Sequence, residues 1–307
     1  MAKRLLSCAA SDITALGRDD LLHAIANSEG RVIACETIGT LQPMLGDVTN
    51  AEFAASQGAD LLLLNMFDVQ HPVIHALPPC APEDTVRTLK RLTGRPIGIN
   101  LEPVNRTSEV DTDPMWALTE GRRATAENAV RAADMGVDFI LLTGNPGIGV
   151  SNDAILDTLR VFKACVGDRV ILAAGKMHAA GVPSEGGENI LTVSDVNAFL
   201  DAGADIILLP APGTVPGITT EYARTLIRAA HTRNALAMTA IGTSQEGADT
   251  ATIRQIALQC KMAGADVHHL GDAGYGGMAL PENIFAYSVA VRGVRHTYHR
   301  MAQSINR

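Results

Sequence analysis

The sequence predicts an α/β chain folded as a single (βα)8 TIM barrel, and three observations carry that reading. A helix-ending glycine, a small residue and an aspartate run into short aliphatic stretches at Gly58-Ala59-Asp60, Gly136-Val137-Asp138, Gly203-Ala204-Asp205 and Gly264-Ala265-Asp266. The glycine suits the left-handed residue that closes a helix, and the apolar run suits a parallel strand covered by helices. Less regular apolar runs at 32–35, 96–100, 170–174 and 235–239 bring the count to eight, with helical spacing between them. Links from helix to strand are short, whereas links from strand to helix are long and rich in Gly, Pro, Asn and charge. That asymmetry belongs to a barrel whose site lies at the carboxyl ends of its strands. A doubly wound open sheet competes, but nothing marks a point where strand order would reverse.

Each element has its own signal. Leu16, Leu21, Leu22 and Ile25 fall at helical spacing, so residues 12–27 read as an extra N-terminal helix, part of a helical plug over 1–30 under the first strand. The barrel occupies 31–280 of a single domain, 1–307. Helices are expected near 49–57 and 83–92, and Ser151 or Asn152 caps another. Thr192-Val193-Ser194-Asp195 is a capping-box signature. Some twenty irregular residues follow the third strand, and a loop of that length (103–123) is expected to close over a site. Pro281 opens a long C-terminal helix over 281–307, whose Val289, Val291, Val294, Tyr298 and Met301 beside Arg292, Arg295 and Arg300 suggest packing between subunits of a homo-oligomer.

Bulk properties narrow the function. At 307 residues, 47% hydrophobic and 19% charged, the chain can bury a large core. A formal net charge of -8 without long runs of Lys or Arg argues against nucleic acid and favours a small ligand, expected to be an anionic metabolite. No stretch reaches the ~20 apolar residues of a membrane span. Cys8, Cys35, Cys80, Cys165 and Cys260 lack any C-x-x-C pair and read as reduced, buried thiols of a cytoplasmic protein.

The residues suited to chemistry cluster at strand ends. Lys176 directly follows the fifth strand, where it could hold an anion, form a Schiff base, or simply pair with Glu102 or Glu36. Glu36, Glu102 and Asp272 end strands one, three and eight. Three converging carboxylates would suit Mg2+ or a proton-transfer group of raised pKa. His178 is a candidate proton shuttle. His268 and His269 alternate along the eighth strand, one facing the barrel and one the helices. Three glycine-rich strand ends, 144–149, Gly242-Thr243-Ser244 and 271–277 with Gly274, Gly276 and Gly277, could cradle a phosphate through backbone N–H groups, the last two following strands seven and eight where many such barrels bind it. Asn65, Asn100 and Asn145 could orient a substrate. Nothing points to a nucleotide cofactor.

Asp272-Ala273-Gly274-Tyr275-Gly276 resembles the second half of the D-x-D-x-G-Y-G segment of the phosphoenolpyruvate mutase and isocitrate lyase superfamily, and Lys176-Met177-His178 resembles part of its K-x-C-G-H loop. More broadly, the chain is similar to bacterial barrel proteins that carry phosphonomutase-like names. The resemblance implies Mg2+ and an alpha-keto acid bound near Asp272. Together these readings give an expected lyase, aldolase or mutase acting on a small phosphorylated or carboxylated metabolite next to a carbonyl. A barrel that binds a metabolite for regulation or assembly, without turnover, is the alternative.

Overall fold

The computed structural model describes residues 3–104, 117–144, 149–179 and 182–307. Its sheet is a closed parallel barrel in chain order: β1 (Val32–Ile38), β2 (Leu61–Asn65), β3 (Ile97–Leu101), β4 (Phe139–Leu142), β5 (Ile171–Gly175), β6 (Ile206–Pro210), β7 (Leu236–Ile241) and β8 (Val267–Leu270). The last strand returns to the first, with Ile33 opposite His268 and Cys35 opposite Leu270.

Alternation along the strands sorts their side chains into two cores. Ile33, Leu62, Ile99, Ile140, Leu172 and Ile207 face outward into the layer of helices. Ala34, Leu63, Leu141, Ala173, Leu208 and Met238 fill the inside. Phe139 also lies inside, in the space left by Gly98: a Cβ on Gly98 would come within 2.1 Å of its ring. His268 and His269 divide as alternation requires. His268 bonds Tyr287 Oη and Gly30 O on the helix side, whereas His269 lies beside Glu36 within the barrel.

Leu5, Cys8, Ile13, Leu21 and Ile25 join the inner core from below and close the amino-terminal end of the barrel. The expected single helix there is two, α1 (Ala10–Ala15) and α2 (Arg18–Ala26), because Leu16 and Gly17 take extended backbone between them.

The same end holds a repeated polar device, built from the aspartate of each G-x-D step. Asp60, Asp138, Asp205 and Asp266 precede β2, β4, β6 and β8, and each carboxylate accepts the backbone N–H of a residue in the preceding odd strand. The acceptor distances are 2.9, 2.7, 2.9 and 2.8 Å, from Ile33, Ile97, Leu172 and Ala237. Each aspartate returns its own N–H to the carbonyl of that residue. Each also has a basic partner: Arg292 and Arg300 at Asp60, Lys90 at Asp138, Arg18 at Asp205 and His231, whose pKa its hydrogen bond to the carboxylate raises, at Asp266.

The remaining helices are α3 (Asn50–Ser56), α4 (Thr85–Thr93), α5 (Ala126–Met135), α6 (Asn152–Val166), α7 (Val193–Asp201), α8 (Thr220–Thr232), α9 (Thr250–Ala263) and α10 (Pro281–Ala302). Ser151 caps α6, and Thr192 with Asp195 forms the capping box of α7. Pro281 opens α10, but Gly293, at φ 73° and ψ 166°, breaks it in the middle. Arg292 and Arg300, expected beside an intersubunit face, are instead buried within the chain against Asp60. Val294 and Tyr298 remain exposed. Of the thiols expected to be buried, Cys80 is exposed and Cys165 half-buried. Among the described residues, no helix is long and apolar enough to cross a membrane.

Candidate active site

A cavity of about 280 Å3 opens at the carboxyl ends of the strands. This lies just below the range of ~300–1,000 Å3 usual for ligand sites. Its wall is assembled from seven strand ends: Glu36 from β1, Asn65 and Met66 at the end of β2, Asn100 and Glu102 at the end of β3, Thr143 and Gly144 after β4, Met177 and His178 after β5, Gly242 and Glu246 after β7, and Gly271 and Asp272 after β8. Arg122 completes it from the returning end of the long loop. A larger groove, about 740 Å3, lies outside the barrel against α5, lined by Val69, Val130, Met135 and neighbours, and carries none of these strand-end groups.

Asp272 is held at the tip of β8 by two donors, Asn65 Nδ2 at 2.8 Å to Oδ2 and the Gly274 N–H at 2.8 Å to Oδ1. Asn65 in turn accepts from Asn100 Nδ2 at 3.3 Å, so β2, β3 and β8 share one hydrogen-bonded row. Burial, with Glu36 and Glu246 nearby, pushes the Asp272 carboxyl up to about 7 against the pull of those donors. Glu246 is likewise raised, by burial first and then by Glu36. Its Oε1 accepts the Ala273 N–H at 3.0 Å, and its main-chain carbonyl is fixed by Asn283 Nδ2 at 2.8 Å. Burial lowers the His178 pKa while Glu36 opposes it. Glu36 Oε2 lies 3.2 Å from His269 Nε2, an ion-pair distance at which neither ring nitrogen has hydrogen-bond geometry to a partner.

Glu102 faces Arg122 Nη2 at 2.7 Å, each side chain 7% exposed. Burial raises the Glu102 pKa, opposed by Arg122. The pair is registered by the backbone: Glu102 N–H donates to Arg122 O at 2.9 Å and Ala124 N–H to Glu102 O at 3.0 Å, so the loop returns alongside β3.

Lys176 has another place. It is 2% exposed, gives its Nζ to Glu185 Oε2 at 2.6 Å, and is not among the residues lining the cavity. Its partner is neither Glu102 nor Glu36, because the loop after β5 folds back with Pro183–Glu185 in a 3-10 turn. Gly175 permits the approach there, since a Cβ would meet Leu208 O at 1.9 Å.

The glycine segments divide. Gly242 reaches the wall, packed so closely on Met177 that a Cβ would lie 2.0 Å from its sulfur. Thr243, Ser244, Gly274, Gly276 and Gly277 are outside the lining. Thr243 Oγ1 bonds Thr214 O, and the Gly276 and Gly277 N–H groups close the turn on Ala273 O and Gly274 O. The ends of β7 and β8 therefore present Glu246 and Asp272 to the cavity, together with Gly242 and Gly271. Asn145 and most of the expected lid, 105–116, lie outside the described residues.

Among the described residues no group of three or more His, Cys, Asp or Glu is arranged to hold a metal ion. Glu102, expected beside Glu36 and Asp272 as a ligand, faces Arg122 instead, so these three carboxylates do not come together as the expected Mg2+ set.

Arg122, Glu246 and Thr143 are wall residues that the sequence reading did not single out. Glu246 lay in a segment read for its glycines. Arg122 follows Gly121, where a Cβ would meet Asp68 Oδ1 at 1.7 Å; a glycine beside a cation in a long loop is the signal that could have marked it.

The fold is shared with known barrels. At TM-score 0.51 and 15% identity, the chain is similar to 2,3-dimethylmalate lyase, a PEP mutase/isocitrate lyase superfamily member, over 84% of this chain and 82% of that one. It is similar, at TM-score 0.53 and 13% identity, to the carboxyl transferase domain of Rhizobium etli pyruvate carboxylase, over 95% of this chain and 51% of that longer one. No curated protein matches the sequence. A family model described as "Domain of unknown function (DUF7916)" matches residues 6–307. With nearly the whole length matched, barrel and mouth together, the chain belongs to the DUF7916 family.

Proposed function

We propose that the chain is a lyase-type barrel enzyme that moves a proton at a carbon next to a carbonyl or carboxyl group of a small metabolite, with Asp272 as the acid-base group. The supporting observation is the Asp272 carboxyl on the cavity wall, held near neutrality by burial and by Glu36. A group with a pKa close to the working pH both accepts and returns a proton efficiently. As the carboxylate takes the proton, the C–H electron pair moves onto the neighbouring carbonyl oxygen. Arg122, whose Nε has no hydrogen-bond partner among the described residues, is the donor available to that oxygen. Asn65 orients Asp272, and Lys176 acts by holding the loop after β5 through Glu185. No step runs through a metal.

The family resemblance points to the same chemistry, next to a carbonyl. A phosphate is the less favoured anion, because Glu246 and Asp272 occupy the strand ends expected to cradle it. The test is solvent exchange in D2O, followed by proton NMR over a panel of 2-oxo and amino acids. The wild type should exchange the C–H next to the carbonyl of at least one compound, and Asp272→Asn should slow that exchange by about a hundredfold or more. Equal rates in both proteins would remove Asp272 from the role.

A further inference from the structure

Among the described residues, the unpartnered groups of the mouth are three acceptors, Asn100 Oδ1, Glu102 Oε2 and Glu246 Oε2, beside one guanidinium nitrogen, Arg122 Nε, and one hydroxyl, Thr143 Oγ1, so two carboxylate oxygens face a single cationic donor. Glu246 is 3% exposed and Glu102 5% exposed, both line the cavity, and Oε2 of each has no hydrogen-bond partner among the described residues. Burial raises the pKa of both groups, and a cation beside them favours the ionised form, in which each oxygen accepts whichever way the carboxylate is turned. Glu36 and Asp272 share the wall, and the charges of Glu36 and Glu246 both bear on Asp272. Among the described residues, Arg122 is the one guanidinium in the lining; its Nη2 is paired with Glu102 and its Nε is left, while the nearby lysine, Lys176, is paired with Glu185. His269 stands behind Glu36 at 3.2 Å.

A buried acceptor left without a donor is costly, so the wall selects an occupant that brings donors and positive charge. A phosphate brings acceptors and the wrong sign. A neutral polyol brings donors without charge. A divalent cation would need several convergent oxygen ligands, and Glu102 is turned to Arg122 rather than to Glu36 and Asp272. An ammonium brings three donors, one positive charge and no acceptor.

We propose that the substrate carries a protonated primary amine, seated between Glu246, Glu36 and Asp272, with its carboxyl or carbonyl end toward Arg122. This rests on the reading of the mouth as a proton-transfer site and narrows its substrates to amino-acid-like zwitterions. Glu246 is the specificity residue. Its Oε1 is occupied by the Ala273 N–H, leaving Oε2 for the ammonium.

The test is calorimetric titration of the full chain with glycine, L-alanine, L-serine and L-aspartate beside acetate, propionate, 3-hydroxypropionate and succinate, the same skeletons without the ammonium. At least one amine should bind about tenfold or more tightly than its match, the effect of one desolvated charge contact. Glu246→Gln keeps an acceptor for Ala273 and loses the charge, and should weaken that binding about tenfold. The wild-type comparison stands whether or not the variant folds. The inference is overturned if no amine outbinds its match, or if a folded Glu246→Gln binds the amine as tightly as the wild type. Exchange that depends on Asp272 but ignores the amine would remove this inference alone. Amine binding without any exchange would support it and remove the proton-transfer reading.

Discussion

At the residue scale, Asp272 ties stability to pH through the same burial that suits it to proton transfer. In the folded chain its carboxyl keeps a proton to about 7, against 3.8 for the ordinary group. Folding therefore takes up a proton between those values. The stability from the protonated form is full below the lower value and is lost as pH rises through the upper one. Asp272→Asn removes this dependence, so thermal unfolding from pH 4 to 8 should show the wild type losing stability relative to the variant as pH rises. Parallel curves would mean that the carboxyl titrates normally. Glu36, Asn65, Asn100, Glu102, His178 and Asp272 were legible as wall residues because each sits where an apolar run ends, a position that chain order alone defines. Arg122 and Glu246 were not, since their approach to the mouth depends on how a loop returns and how a 3-10 turn is packed. Lys176 was placed correctly along the chain, but its direction was set by Glu185, nine residues on.

At the element scale, the strands are matched through complementary volumes. Gly98 of β3 leaves the space that the Phe139 ring of β4 fills, 2.1 Å from where a Cβ would stand. Gly98→Ala should destabilise by about 1–3 kcal/mol, the usual cost of overpacking. Adding Phe139→Leu should recover part of the loss, and denaturant unfolding of the two variants reads both effects. A neutral Gly98→Ala would show that the ring has room to move. The strands were readable from their apolar runs, and α6 and α7 from Ser151 and Thr192. The breaks at Leu16-Gly17 and at Gly293 were hidden, because apolar spacing continues through both while the backbone does not.

At the scale of the whole molecule, the two ends of the barrel use acids in opposite ways. At the amino-terminal end every aspartate of the G-x-D comb is matched by a strand N–H group and a basic side chain. At the mouth Glu36, Glu246 and Asp272 crowd one another, and Glu246 keeps an oxygen without a partner. The comb made the architecture legible, but not the purpose of its aspartates. Asp60→Asn should cost about 3–5 kcal/mol, because Arg292 and Arg300 are buried and would lose their counter-charge. Asp138→Asn should cost about 1 kcal/mol, since Lys90 is 26% exposed and reaches water. Denaturant unfolding orders the two, and equal costs would mean that the Asp60 cluster is no more than a surface pair. The proton balance of the mouth is open to direct measurement by 13C NMR titration of aspartate carboxyl groups, comparing wild type with Asp272→Asn. A resonance missing from the variant should titrate near pH 7. If it titrates near 4 instead, Asp272 is an ordinary ionised carboxylate, and the acid-base role assigned to the mouth is contradicted.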